Sequence, residues 1–216
     1  MGSSDRRPLT GQPVSATITA HNNNRFGAVL SAVYGFWVSR GSGNQGGRRD
    51  AYSVITFQTG AEVRFANDLT RTPEQMLNSI VQERAGGGTN FDAALGAART
   101  TMETHWSTER SPVVIFLSDG ECRVSDNVIY DICNRAVARG KPLSFHSVSF
   151  GSANRSDSLR RMVTVAEQVA ANAPRDPLTP LVPCGYTDVL DSIRLAETFL
   201  NIADSLKKPR AALLRA

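Results

Sequence analysis

Val113-Val114-Ile115-Phe116-Leu117-Ser118-Asp119-Gly120 is the stretch on which the fold turns. Its five apolar residues run without alternation and three of them are β-branched, which suits a strand covered on both faces in a parallel sheet. The run stops abruptly at Ser118-Asp119-Gly120, so the strand delivers a carboxylate at its carboxyl end.

Working upstream, Gly86-Gly87-Gly88-Thr89-Asn90 leads into a helix with the apolar stripe Phe91, Ala94, Leu95, Ala98 and Met102. Before it, Thr72-Pro73-Glu74-Gln75 reads as a helix start: Thr72 is the N-cap, Pro73 the first helical residue, and Gln75 closes a capping box. Met76, Leu77, Ile80 and Val81 give that helix its buried face. Residues 52–57 and 62–65 read as two strands of a hairpin turning at Gly60. An amphipathic helix is expected over 24–40, from Phe26, Val29, Leu30, Val33 and Trp37. Residues 14–20 alternate apolar and polar, the pattern of an edge strand or an exposed segment. Downstream, the periodicity predicts a helix over 126–139, a strand over 143–150 and a helix over 156–171. A proline-rich link over 174–183 follows, then a last helix capped by Thr187 and running to about Leu206.

Strands alternating with helices make this an α/β chain, doubly wound and Rossmann-like, with a mostly parallel sheet and helices on both faces. The expected domain is 1–206, with a polar N-terminal segment at 1–23, a flexible Gly-rich loop at 41–49 and a short basic tail at 207–216. The first strand of such a fold is normally central and near the N-terminus, and here none is evident.

At 216 residues, 41% apolar and 20% charged, the chain has the composition of one globular domain. Its net charge of +4 is spread out, the basic pairs being Arg6-Arg7, Arg48-Arg49, Arg160-Arg161 and Lys207-Lys208. Nucleic acid, which needs clustered positive charge, is not expected as a partner. No run approaches the ~18 apolar residues of a membrane span, and the polar N-terminus is unlike an export signal, so no membrane association and a cytoplasmic location are expected. Three cysteines without a CxxC fit neither a disulfide framework nor a zinc site.

Among residues that could carry chemistry, Gly41-Ser42-Gly43-Asn44-Gln45-Gly46 matches G-x-G-x-x-G but follows a helix and precedes a strand, the reverse of a pyrophosphate turn. The Gly86–Gly88 run lacks the Lys-Ser/Thr ending of a phosphate loop. Cys122, just past the buried strand, and His146 on the next strand could form a thiol site, although no third group fixes a base beside the sulfur. Thr89 and Asp119 both sit at the sheet edge where α/β ligands bind. A carboxylate plus a hydroxyl is hard-oxygen chemistry suited to Mg²⁺ or Ca²⁺. The local alternative is that Thr89 caps its helix and Asp119 caps a turn.

The order of elements, with G-G-G-T-N-F-D-A-A-L at 86–95 and V-V-I-F-L-S-D-G at 113–120, resembles the von Willebrand factor type A domain of the intracellular kind. The resemblance implies a protein-interaction module rather than an enzyme. It also implies a metal-ion-dependent adhesion site: D-x-S-x-S on a first loop, a Thr on a second, an Asp on a third, and a divalent cation completed by a partner protein's carboxylate. Thr89 matches the Thr and Asp119 the third-loop Asp, whereas Asp92 has a simpler place at a helix N-terminus. No D-x-S-x-S precedes residue 24. The expectation is therefore that Met1 corresponds to the Met closing D-x-S-G-S-M, with the first central strand and its ligands upstream. Mg²⁺ binding through Thr89 and Asp119 alone should be weak. A metal-independent scaffold and a hydrolase using Cys122 or Asp119 are the other readings.

Overall fold

The computed structural model describes residues 1–42, 50–151, 156–174 and 182–207. Most of the Gly-rich loop, the proline-rich link and the basic tail lie outside them. Two helices come first, α1 (Ser15–His21) and α2 (Arg25–Ser42), then the strands β1 (Tyr52–Phe57) and β2 (Ala61–Asp68). The helices α3 (Pro73–Asn78) and α4 (Phe91–Thr104) lead into β3 (Val113–Ser118), α5 (Asp126–Ala138) and β4 (Ser144–Phe150). The described chain ends with α6 (Asp157–Asn172), β5 (Gly185–Val189) and α7 (Ser192–Ser205).

β1 and β2 form the expected antiparallel hairpin, and β3, β4 and β5 form a parallel sheet in that spatial order. The class is α/β with helices on both faces. Successive residues of a strand point to opposite faces, so Ile115, Leu117, Val148 and Phe150 join a core with α2, α3 and α7, centred on Leu30, Trp37, Leu77 and Leu195. Val114, Phe116 and Phe145 face the other way, against Phe91, Ile129, Ile132, Leu159 and Met162 of α4, α5 and α6.

Local sequence explains much of this. The capping box forms in full: Gln75 N donates to Thr72 Oγ1 at 3.3 Å and Thr72 N to Gln75 Oε1 at 2.9 Å. Met76, Leu77, Ile80 and Val81 are all buried.

Three expectations change. One is a refinement: β3 has helices over both faces, as its apolar run suggests, but among the described residues it is the edge of its sheet, so Val113 is 38% exposed and Val114, Ile115 and Leu117 are half-buried. The fully buried strand is β4, S-F-H-S-V-S-F, whose hydroxyls are tolerated because they find internal acceptors, Ser147 Oγ donating to Leu159 O at 2.7 Å. For residues 14–20 the edge-strand alternative fails: Ser15–His21 form the helix α1, with Ile18 its one buried residue. Ser15 Oγ accepts from Gln12 N at 3.0 Å and donates to Leu9 O at 2.8 Å, and Ile18 is fully buried against α2. Thr187 does not cap the last helix. It lies in β5, and Asp191 is the cap, its Oδ1 accepting from Arg194 N at 2.9 Å.

Among the described residues no strand stands between the hairpin and the parallel sheet. Aromatic rings bridge that interval. Phe57 of β1 and Phe116 of β3 have centroids 5.2 Å apart, and Phe91 of α4 packs edge-on to both, at 6.0 and 5.1 Å.

Candidate functional site at the carboxyl edge of the parallel sheet

The loops after β3, β4 and β5 open on one edge, the place where α/β sheets bind ligands. Thr89 and the turn that carries Asp119 meet there, and neither residue does the local task that was the alternative for it. Asn90 caps α4, its Oδ1 accepting from Ala93 N at 2.9 Å. Ser118 closes the turn after β3, its Oγ accepting from Gly120 N at 3.1 Å. The Thr89 hydroxyl lies against that turn: a Cβ on Gly120 would stand 3.1 Å from Thr89 Oγ1. Asp92 bridges forward instead, accepting from Ser125 N at 3.3 Å at the start of α5.

Asp119 faces positive charge. Its Oδ2 takes the Met1 ammonium and, at 3.3 Å, Arg25 Nη1. Arg25 is the first residue of α2, the end where the helix dipole disfavours a cation by about 0.3–1 kcal/mol. Two carboxylates offset that. Besides Asp119, Asp5 receives Arg25 Nε and Nη2, both at 2.7 Å, in a two-pronged fork. The Arg25 hydrogen bonds hold the Asp5 carboxyl down at about 2, and the same contacts push Arg25 up. The fork rests on Gly151, where a Cβ would come 2.9 Å from Arg25 Cζ and Nε, and whose φ of +79° is itself one that side chains rarely adopt.

The N-terminal segment is fastened along the whole edge. Arg25 N donates to Ser3 O at 2.9 Å, Phe26 N to Met1 O at 3.0 Å and Gly27 N to Asn24 Oδ1 at 3.1 Å, which satisfies the orphan N–H groups of α2. Further on, Arg6 Nε donates to Leu190 O and Ser192 Oγ to Arg7 O, the latter at 2.6 Å. The segment thus passes the ends of β3, β4 and β5 in turn. Sequence reasoning missed Arg25 and Asp5. The available signal was an arginine opening an apolar-striped helix with no acidic residue in its first turn.

These groups do not suit a tightly held divalent cation. The described residues contain no cluster of three His, Cys, Asp or Glu side chains. The carboxylate on the turn against which Thr89 lies is that of Asp119, and Arg25 already meets it. At an effective dielectric of ~20, two like unit charges 4 Å apart repel by about 4 kcal/mol, and a divalent ion doubles the charge product.

Cys122 and His146 are not brought together. Cys122 Sγ donates to Arg123 O at 3.3 Å, while His146 Nε2 is 3.2 Å from Ser144 Oγ. Burial pushes His146 down to about 4 and the Cys133 thiol up to about 12. An unfolded chain protonates His146 as pH falls through about 6.5, whereas the folded chain resists until about 4. The His146 contribution is therefore intact above pH 6.5 and lost on the way to 4, by about 3 kcal/mol at 1.36 kcal/mol per pH unit. Denaturant melts across that window should show wild type losing stability relative to His146→Gln by this amount. Parallel pH profiles would contradict it.

A family profile described as the von Willebrand factor type A domain matches residues 14–121, half of the chain. No curated protein matches. Solved structures do, at identities that speak for the fold alone. Proximal thread matrix protein 1 from the mussel byssus superposes with a TM-score of 0.59 at 14% identity, over 88% of this chain and 44% of that one. A second structure of that protein, with a zinc-occupied MIDAS motif, gives 0.57. The SpRpn10 VWA domain gives 0.59 at 12% identity, over 82% of this chain and 83% of its own. The pilus adhesin SpaC from Lactobacillus rhamnosus GG gives 0.60 at 14%, over 94% and 32%. The chain thus spans under half the length of the byssus and pilus proteins.

Proposed function

Because the chain belongs to the von Willebrand factor type A domain family, we propose that it is a protein-interaction module whose contact surface is the crevice at the carboxyl ends of β3, β4 and β5. The observation that carries this reading is the placement of Thr89 and Asp119. Asn90 and Ser118 do the local capping, which supports a role for Thr89 and Asp119 at the crevice mouth, where the Thr89 hydroxyl lies against the turn that carries Asp119 and the Asp119 carboxylate meets Arg25. No described helix is long and apolar enough to cross a membrane. The free thiols of Cys122, Cys133 and Cys184 support a reducing location such as the cytoplasm.

A Mg²⁺-bridged contact to a partner carboxylate is the form the family likeness suggests. With Arg25 on Asp119, Thr89 and Asp119 alone compete poorly with the hydration of Mg²⁺, so binding by this chain is weak. Selection of displayed peptides on the immobilised protein tests both points. Binders should lose about tenfold or more in affinity with Thr89→Arg, which fills the crevice mouth, and should be indifferent to EDTA. Binders unaffected by that variant would move the contact to a helix face, as in a metal-independent scaffold. A micromolar Mg²⁺ affinity abolished by Asp119→Ala would overturn the weak-metal reading.

A further inference from the structure

The cation in the crevice is part of the chain. Arg25 is only 16% exposed, fixed on one side by Asp119 at the end of β3 and backed by the Gly151 turn at the end of β4. Its Nε and Nη2 edge presents two parallel N–H groups, the geometry that matches a carboxylate. The carboxylate now filling that edge belongs to Asp5, which is 40% exposed and comes from a polar segment lying over the crevice.

Asp119 and Asp5 hold Arg25 differently. Asp119 belongs to the turn closed by Ser118 and takes a single N–H of the guanidinium, so it orients the group while leaving the forked edge open. Asp5 takes the whole forked edge. Its neighbours are fastened by Ser3 O, Arg6 Nε and Arg7 O, none of which uses the Asp5 carboxylate; that carboxylate has one further charged neighbour on its own segment, Arg6 Nη1 at 3.6 Å, which moves with it. The carboxylate can therefore leave without unfastening the segment on either side of it.

We propose that Arg25 is a carboxylate receptor at the mouth of the crevice, that it takes an Asp or Glu side chain of an acidic partner peptide, and that Asp5 occupies it in the free chain. This rests on the interaction-module reading above and deepens it: the positive charge that receives the partner is a guanidinium of the domain. Binding exchanges one fork for another, so Asp5 acts as an intramolecular competitor. Short tethers give effective concentrations of about millimolar, and a partner must outcompete that before it binds.

The test is a titration of the 216-residue chain, followed by NMR at the Arg25 Nε–H and at the amides of Gly120 and Gly151, with an acetyl-Gly-Asp-Gly amide as probe. In Asp5→Asn the probe should restore the wild-type Arg25 Nε–H position, and with an affinity at least about tenfold better than in wild type. Acetyl-Gly-Asn-Gly amide should do nothing. Arg25→Lys in the Asp5→Asn background keeps the charge and loses the fork, and should lose most of the response while remaining folded by thermal melt. Equal affinities in wild type and Asp5→Asn, an equal response to the Asn probe, or full retention in Arg25→Lys would each overturn the proposal. So would a response that appears only with Mg²⁺. Displayed peptides that bind through Thr89 but ignore Asp5→Asn would remove this inference and leave the interaction module standing.

Discussion

Gly27→Ala is expected to cost about 3 kcal/mol or more of folding stability, read as a fall in the denaturant midpoint. Gly27 is buried in the first turn of α2, where the chain leaving α1 crosses it. A Cβ there would stand 1.8 Å from the Asn22 carbonyl oxygen and 2.7 Å from Pro8 Cγ. The first obstacle is backbone, so no side-chain rotamer relieves it. Asn22 is itself anchored: it is 1% exposed, and its Nδ2 donates to Val81 O at 2.6 Å. Relief would require α1 to lift from α2, uncovering Ile18. Overpacking usually costs about 1–3 kcal/mol, and a backbone collision belongs at or above the top of that range. Helix propensity argues the other way, since alanine is favoured over glycine by about 1 kcal/mol inside a helix. Sterics and propensity therefore predict opposite signs, and Gly96→Ala, at a helical site with nothing within 4 Å of its Cβ, is the control that should not lose stability.

The same competition between local preference and packing decides what could be read in the sequence. Where a signal is carried by consecutive residues and answered by them, it was legible. Thr72 and Gln75 satisfy one another three residues apart, and Leu159, Met162, Val163 and Ala166 share one buried face of α6. β5 was not legible, because G-Y-T-D-V offers no apolar run and becomes a strand through pairing with β4, from His146↔Gly185 to Phe150↔Val189. α1 misled for a related reason. Its alternation suits a strand, but the segment meets a helix surface, with Ile18 its one buried residue. At the site, Thr89 and Asp119 were visible because each stands beside a recognisable turn. Arg25 and Asp5 were not, because a fork between residues twenty apart depends on how the N-terminal segment is laid across the sheet edge.

That laying-out in turn depends on holding the hairpin and the parallel sheet together, which makes Phe91 the second position of large effect. Phe91→Ala should destabilise by about 3–5 kcal/mol, the range for a buried phenylalanine truncated to alanine. The ring is fully buried. It packs edge-on to Phe57 on the hairpin side and to Phe116 on the sheet side, with interplanar angles of 77° and 84°. Most core side chains are backed by neighbouring strands on a continuous sheet. Here β1 and β3 belong to separate sheets, so fewer backbone hydrogen bonds resist their separation and the side chains between them carry more of the cohesion. Coupling is the sharper test. Phe57 and Phe116 also touch, at 5.2 Å, so the three rings act as a unit. Once Phe91 is gone, Phe57→Ala should cost less than it does in wild type, by about 0.5–1.5 kcal/mol, the worth of an aromatic pair beyond its buried area. Additive losses in that double-mutant cycle would mean that the rings merely fill volume. The sheets would then be held together by the helices above and below them.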